Sequence, residues 1–403
     1  MLKKKLQAVI NSINTGVNLV NPVFAYLIIH SLQNLRPETI DFSLEKTKQC
    51  LDRAVAWALF QQQIQKDGGI TSRVSFKNAR TVVEGSYPEV TGYLIPSLFD
   101  YAALFSDQKV RQAAILAADF ELKEQLKNGA FPGGAVGKLT GPSVFNSAQI
   151  IHGLVRTYLE TKNKKYLTAA LRAGDWIKKV QDHDGSWTKF NYLKMKRVYD
   201  TKVSQALLEL GNAAKTKKYL PAVNKNLDFV LKNQKENGWF YNADNTFQNN
   251  HQPLTHTLFY TVQGLLECSK LLKRPELYRA GKYTADAVLQ KFELSKKIPA
   301  GRYDSNWRGT VESSCLTGDG QISLCWLDLY KKTADLRYLN AALKLNDFLK
   351  AIQYHSRFRA IDGAIPSSYP IWGDYNPYSI NSWGVKYFID ALIWEYKIKK
   401  ELG

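Results

Sequence analysis

Cysteine is scarce: Cys50, Cys268, Cys315 and Cys325 are the four in 403 residues, and no two have the spacing of a zinc knuckle or a CxxC redox pair. The sequence therefore predicts free thiols of a reducing, cytoplasmic compartment. Long apolar runs are missing too. The chain opens MLKKK and continues LQAVINSINTGVNLVNPVFAYLIIHSL, but Gln7, Asn11, Asn14, Asn18 and Asn21 interrupt the apolar stretch and no small-residue cleavage site follows. Nothing reaches the ~18 uninterrupted apolar residues of a membrane span. Residues 1–45 read as a helical N-terminal extension, placed to pack on the body or to touch the inner face of a membrane. Strand signals are sparse, with room for short hairpins in 299–307 and 363–375. His251 and His256 lack the spacing of a helical HExxH site, so neither a metal nor a cofactor is expected. Acidic residues are outnumbered: Asp plus Glu is 36 against 55 for Lys plus Arg, so the net charge is 55 − 36 = +19. That balance suits an anionic partner, or simply a lysine-rich solvated shell. Nucleic-acid binding has only the net charge behind it, so no nucleic-acid partner is expected.

What the chain has in quantity is a repeat. Residues 171–210 give its clearest copy, LRAGDWIKKVQDHDGSW, a polar loop, then YDTKVSQALLELG. Leu171, Ala173, Trp176, Ile177 and Val180 recur at three- and four-residue steps, which is helical spacing. A turn glycine ends that helix, and a second, more apolar helix follows. The turn glycines Gly69, Gly129, Gly185, Gly238, Gly301 and Gly363 lie roughly 53–63 residues apart, as two helices plus two connections require. Second helices are predicted to begin near Val90, Phe145, Asp200, Thr255, Leu316 and Asn381. They are apolar on more than one face and should be buried; the first helices are lysine-rich, one-sided and should lie outside. Six such pairs predict an all-α (α/α)6 barrel over 46–403, closed rather than an open solenoid because no polar capping repeat stands at either end.

The connections alternate in length. Short links such as KNKKYL, KTKKYL and ADLRYL follow the inner helices; loops of roughly 10–20 residues follow the outer ones. All long loops must emerge at one end, where the inner helices also present their N-termini. A functional cup is expected there. Its candidate acid–base groups are Glu84, Glu89, Asp200, His256, Glu312 and Asp319, with Glu89, Asp200 and Asp319 equally suited to helix starts. Asn146, Gln149, Gln321 and Asn381 could hydrogen-bond hydroxyls. Tyr87, Tyr93, Trp187, Trp239, Tyr303, Trp307, Trp372, Tyr375 and Trp383 offer faces on which sugar rings stack, or plugs that seat the loops. Arg302 and Arg308 could clamp a carboxylate or sulfate.

The phrases SYPEVTGYLIP, GAFPGG, VFNSAQ, QDHDGSW, PLTHTLFYTVQGLLE, SCLTGDGQ and GAIPSSYPIWGDY, spread over roughly residues 50–398, resemble a bacterial family of α/α-toroid proteins. Its members often lie among surface-polysaccharide genes and carry names such as squalene cyclase-like or prenyltransferase-like. More distantly the chain is similar to six-hairpin glycosidases, unsaturated-uronyl hydrolases and sugar 2-epimerases. It departs from the family pattern at Asp200, where a His is common.

The resemblance implies an enzyme acting on a surface polysaccharide or oligosaccharide. Hydrolysis of a glycosidic bond is favoured, with Glu89 and Asp319 as the carboxylate pair and His256 assisting. Lyase or C5-epimerase chemistry on a uronate is the close rival, and the net charge suits it. A non-catalytic glycan-binding scaffold is a third reading. Isoprenoid chemistry is disfavoured: a cyclase would need a DxDD-like acid and a prenyltransferase a zinc-ligand set, and the sequence holds neither.

Overall fold

The computed structural model describes residues 22–32, 41–77, 80–295 and 297–402. In chain order these form α1 (Pro22–Leu32), α2 (Leu44–Gln65), β1 (Arg73–Lys77), β2 (Arg80–Val83), α3 (Pro88–Phe105), α4 (Gln108–Glu124), β3 (Phe131–Pro132), β4 (Pro142–Ser143), α5 (Val144–Thr161), α6 (Lys164–Lys179), α7 (Thr201–Ala213), α8 (Leu220–Lys232), α9 (Thr255–Leu272), α10 (Pro275–Ser295), β5 (Ser314–Cys315), α11 (Leu316–Thr333), α12 (Leu336–Ala351), β6 (Ser368–Tyr369), β7 (Ser379–Asn381) and α13 (Ser382–Leu402).

Helices α3, α5, α7, α9, α11 and α13 form an inner ring in which each packs on the next and α13 returns to α3; α2, α4, α6, α8, α10 and α12 lie outside. The fold is a closed (α/α)6 barrel, as the repeat predicts. Burial follows the sequence pattern. Every residue of α11 from Leu316 to Leu327 is buried, whereas α6 buries one stripe including Tyr166, Ala169, Ala173, Trp176 and Ile177. The four cysteines are buried and free. Among the described residues no helix is long and apolar enough to cross a membrane.

Two local devices build the repeat. After the inner helices the chain reverses through a residue in the left-handed region, Ser106, Lys162 or Ala334. The next side chain, Asp107, Asn163 or Asp335, then caps the following outer helix by accepting backbone N–H groups. After the outer helices a glutamine acts as a clasp. The Nε2 of Gln62, Gln125, Gln181, Gln234 and Gln353 donates both to the carbonyl of its own turn glycine and to a carbonyl of the next outer helix. The last clasp reaches Cys50 of α2, so it closes the outer ring.

Glycine is required in these turns. A Cβ on Gly185, at φ +94°, would lie 2.3 Å from the carbonyl oxygen of Lys225; on Gly363, at φ +89°, it would lie 2.1 Å from that of Arg53. Two expected turn glycines differ. Gly68, not Gly69, takes the positive φ, and Gly301 does not take one, since it sits instead where its carbonyl accepts from Thr255 and its N–H donates to Ser313.

The strands are short and sit in the long loops. The order β2-β1-β7 joins the first long loop to the last, and β5 pairs with β6 across the fifth and sixth. The expected local hairpins are thus partly loop-to-loop pairings; in 299–307, Tyr303 pairs with Gly309 and Arg302 with Leu254 as isolated bridges. Helix α1 falls in the expected extension and lies against the last loop, with Tyr26 donating to the His355 carbonyl at 3.0 Å. Residues 1–21 and 33–40 of that extension lie outside the described residues.

Candidate active site

A cavity of roughly 1410 Å³ opens at the end of the barrel where the inner helices begin. It is lined from α3 by Glu89, from α5 by Phe145 and Asn146, by Tyr199 two residues before α7, from α9 by His256, Thr257 and Tyr260, and from α13 by Trp383. Eight of the residues singled out in the sequence meet here: Glu84, Tyr87, Glu89, Asn146, His256, Arg302, Tyr375 and Trp383.

Glu89 is recessed in the first turn of α3, where the helix N-terminus would favour a carboxylate. Burial works the other way and is larger, pushing its pKa up to about 7 against a lowering hydrogen bond from Tyr87. Tyr87 in turn accepts from Asn146 Nδ2 at 3.3 Å, and Asn146 Oδ1 accepts from Ser143 at 2.9 Å. The result is a carboxyl that holds its proton near neutrality and is aimed by a fixed hydroxyl.

His256 lies in the first turn of α9 and is 5% exposed. Its Nδ1 is 2.8 Å from Gln321 Oε1, so Nδ1 carries the hydrogen and Nε2 is left as the basic nitrogen. Burial holds its pKa down at about 4, partly offset by that hydrogen bond. The ring packs 4.5 Å from Tyr260 and 5.8 Å from Tyr375. The Glu89 charge is felt by both of those tyrosines, which places acid and imidazole around one aromatic floor.

The rim is basic. Arg73 lies 3.5 Å from Glu84, while Lys138, Lys189 and Lys194 are exposed, and among the described residues none of these three enters an ion pair with a carboxylate.

The remaining expected residues do not line this cavity. Asp319 is completely buried in the first turn of α11 and takes a hydrogen bond from Ser314 at 2.5 Å. Asp200 is equally buried and holds Asn191 Nδ2 at 2.7 Å, so the cavity sees Asn191 rather than the carboxyl. Burial pushes both carboxyls up to about 8. Glu312 and Arg308 are exposed outside the cavity. Arg302 lines the cavity but its guanidinium is taken, donating to Asp244 at 3.1 Å, Asp374 at 2.6 Å and the Gln252 carbonyl at 2.9 Å. It pins the fourth and sixth loops together rather than waiting for a substrate anion.

Several aromatics are plugs. Trp187 is wholly buried and donates to the Ile177 carbonyl; Trp239 donates to that of Tyr303, and Trp307 to that of Asn237, beside the Tyr303 ring. Trp372 packs on the core and Asn381 is buried in β7. Gln321 sits behind His256, and Tyr93 and Gln149 lie below the floor. Arg73, Asn191, Tyr199 and Tyr260 belong to the cavity and were not among the expected residues. Tyr260 is one helical turn after His256, and that spacing is the signal that would have found it.

Among the described residues no group of three or more His, Cys, Asp or Glu side chains is placed to hold a metal ion. No curated protein matches the chain. Among solved structures it is similar to an unsaturated glucuronyl hydrolase specific for heparin (14% identity, 89% of this chain and 99% of that one, TM-score 0.71). It is also similar to an unsaturated glucuronyl hydrolase from Streptococcus agalactiae (12% identity, 92% and 95%, TM-score 0.65). A third is a cellobiose 2-epimerase from Bacillus thermoamylovorans B4167 (14% identity, 86% and 98%, TM-score 0.67). At these identities the likeness is one of fold. Residues 28–264, more than half of the chain, match the sequence profile described as the squalene-hopene cyclase C-terminal domain, and the chain belongs to that family.

Proposed function

We propose that the protein is a carbohydrate-active enzyme that cleaves a glycosidic bond in an acidic oligosaccharide, of the kind a bacterial surface polysaccharide yields. The observation that carries this reading is the convergence of a proton-holding carboxyl, Glu89, and a neutral imidazole, His256, on one cavity. At roughly 1410 Å³ the cavity exceeds the ~300–1,000 Å³ of most small-ligand pockets, which suits several sugar rings. Lys138, Lys189 and Lys194 at its rim, without a carboxylate partner among the described residues, suit carboxylate groups on the sugar. The fold likeness to glucuronyl hydrolases and a sugar epimerase supports the substrate class.

In this scheme Glu89 gives its proton to the glycosidic oxygen as the C–O bond breaks. A water adds to the anomeric carbon and passes its proton to His256 Nε2. Solvent exchange restores both groups. Each contribution of this kind accelerates a reaction by ~10²–10⁴. Asp319, the partner expected from sequence, has no part because it does not reach the cavity.

One observation favours a second reading. Of the carboxyls at the cavity, Glu84 lies beside Arg73 and Asp374 is held by Arg302, which leaves Glu89 as the one without an ion pair among the described residues. A single carboxyl beside an imidazole and tyrosines also suits proton abstraction from a uronate, giving elimination or epimerisation. Incubation with neutral and uronate-containing oligosaccharides in heavy water separates these. New reducing ends without new ultraviolet absorbance support hydrolysis. Absorbance of an unsaturated uronate means elimination, and deuterium at a sugar carbon without cleavage means epimerisation. Binding with no reaction, indifferent to Glu89→Gln, would make the protein a glycan-binding scaffold and sink the catalytic reading.

A further inference from the structure

The barrel has a second mouth. A cavity of roughly 430 Å³ opens toward the opposite end, behind the floor of the cup; Tyr93, Gln149, Lys202 and Lys386 line its inner part and Leu159, Asn212 and Trp394 its outer part. Tyr93 and Tyr387, stacked 6.2 Å apart, belong to its wall. Its charges do not balance pair by pair. Three carboxylates face it, and each is engaged. Glu209 meets His152 Nδ1 at 2.6 Å, Asp390 meets Lys386 at 2.6 Å, and Asp100 meets Arg156 at 2.8 Å.

Lys202 is the exception. It is 5% exposed, and its ammonium group donates to the side-chain oxygen of Gln205 at 2.6 Å but makes no ion pair with a carboxylate among the described residues. Burial first, and the charge of Lys386 second, pull its pKa down to about 8. Lys386 is matched by Asp390, and the charges of Glu209 and Glu267 only partly offset the burial of Lys202, which is left as the cavity's cation without a carboxylate contact among the described residues. Gln149, on the same wall, is 1% exposed and its Nε2 has no hydrogen-bond partner among the described residues. An amide donor and two ammonium groups share one concave, sheltered space.

We propose that this cavity binds a compact dianionic oxyanion of the phosphate or sulfate class, held by Lys202 and Gln149 and faced by Lys386. The donors are the right ones: ammonium and amide N–H groups bind oxyanions by charge-assisted hydrogen bonds. The volume lies in the small-ligand range and has room for the free anion or for one carried on a single sugar unit. The site is separate from the cup and does not depend on the reaction assigned there.

The test is calorimetric titration of the full chain in a chloride buffer with inorganic phosphate, sulfate, a monosaccharide phosphate and acetate. Saturable binding of phosphate or sulfate is expected, weakened about tenfold or more by Lys202→Met and by Gln149→Leu, the loss expected of one charged hydrogen bond. Lys138→Ala, at the rim of the cup, should leave it unchanged. Tighter binding of the monosaccharide phosphate assigns the site to a phosphoryl group on a sugar; tighter binding of inorganic phosphate assigns it to the free ion. Absence of binding, equal binding of acetate, or full retention in folded Lys202→Met overturns the proposal. If Lys202→Met fails to fold, Gln149→Leu decides alone.

Discussion

Glu89 and His256 are tuned in opposite directions by the same physical cause. Taking a group out of water disfavours its charged form, which makes the carboxyl a weaker acid and the imidazolium a stronger one. Burial therefore leaves Glu89 protonated and His256 neutral over one pH window, the pairing that acid–base catalysis needs. Gln321 is a positioning residue, because it fixes which imidazole nitrogen carries the hydrogen. Replacing that amide with a carboxylate should stabilise the imidazolium and raise the pKa of His256. Gln321→Glu is thus expected to move the acid limb of the kcat/KM profile to higher pH while leaving the alkaline limb in place. An acid limb that stays put would show that the Gln321 contact does not govern His256.

At the scale of elements, the repeat works because five of the outer helices, α2, α4, α6, α8 and α10, each meet the turn of a neighbour at a glycine. Gly185→Ala would combine a left-handed alanine, about 1–3 kcal/mol of strain, with a contact of 2.3 Å to the backbone of α8. A loss of about 3 kcal/mol is expected in a chemical unfolding titration, and a loss under 1 kcal/mol would mean that the turn relaxes cheaply. The elements were legible in the sequence for the same reason that they are stable. Helix periodicity and turn glycines repeat six times, and the inner helices begin within two residues of their expected starts. The site was legible only in part. A tryptophan in a long loop looks the same whether it stacks a sugar or plugs the loop, and Trp187 proves to be a plug. An acid at a helix start looks the same whether it faces the cavity, as Glu89 does, or is buried beneath a serine, as Asp319 is. Arg302 reads in the sequence as a substrate clamp because its partners, Asp244 and Asp374, stand 58 and 72 residues away and no local pattern reveals them.

Across the whole molecule, closure of the ring depends on contacts between the two ends of the chain. Glu395 of α13 is completely buried between Lys350 of α12 and Lys399 of its own helix, and it accepts from Thr47 of α2 at 2.8 Å. Burial alone would raise its pKa; the two ammonium groups overcome that and hold it below the usual carboxylate range. A depressed folded-state pKa contributes stability above the unfolded value, and that stability is lost as the pH falls through it. Glu395→Gln leaves buried Lys399 without a carboxylate among the described residues and Lys350 with Asp347 as its one carboxylate partner, and should cost about 3 kcal/mol or more at neutral pH, with a smaller difference from wild type in acid. An equal difference at both pH values would deny the ionised role.

The charge of the whole surface should also be felt at the cup. Replacing Lys138 and Lys189 together with alanine is expected to raise KM for an acidic oligosaccharide about three- to tenfold and to flatten its dependence on salt. A KM unchanged at low salt would separate the basic rim from substrate binding.

The account rests on Glu89 acting as the acid and His256 as the base, and the pH profile of kcat/KM on a turned-over oligosaccharide tests it most directly. The wild type should give a bell that falls below about 4, where His256 gains a proton, and above about 7, where Glu89 loses one. Glu89→Gln should lose ~10²–10⁴ in rate together with the alkaline limb. A bell that survives Glu89→Gln, with both limbs in place, would contradict the assignment.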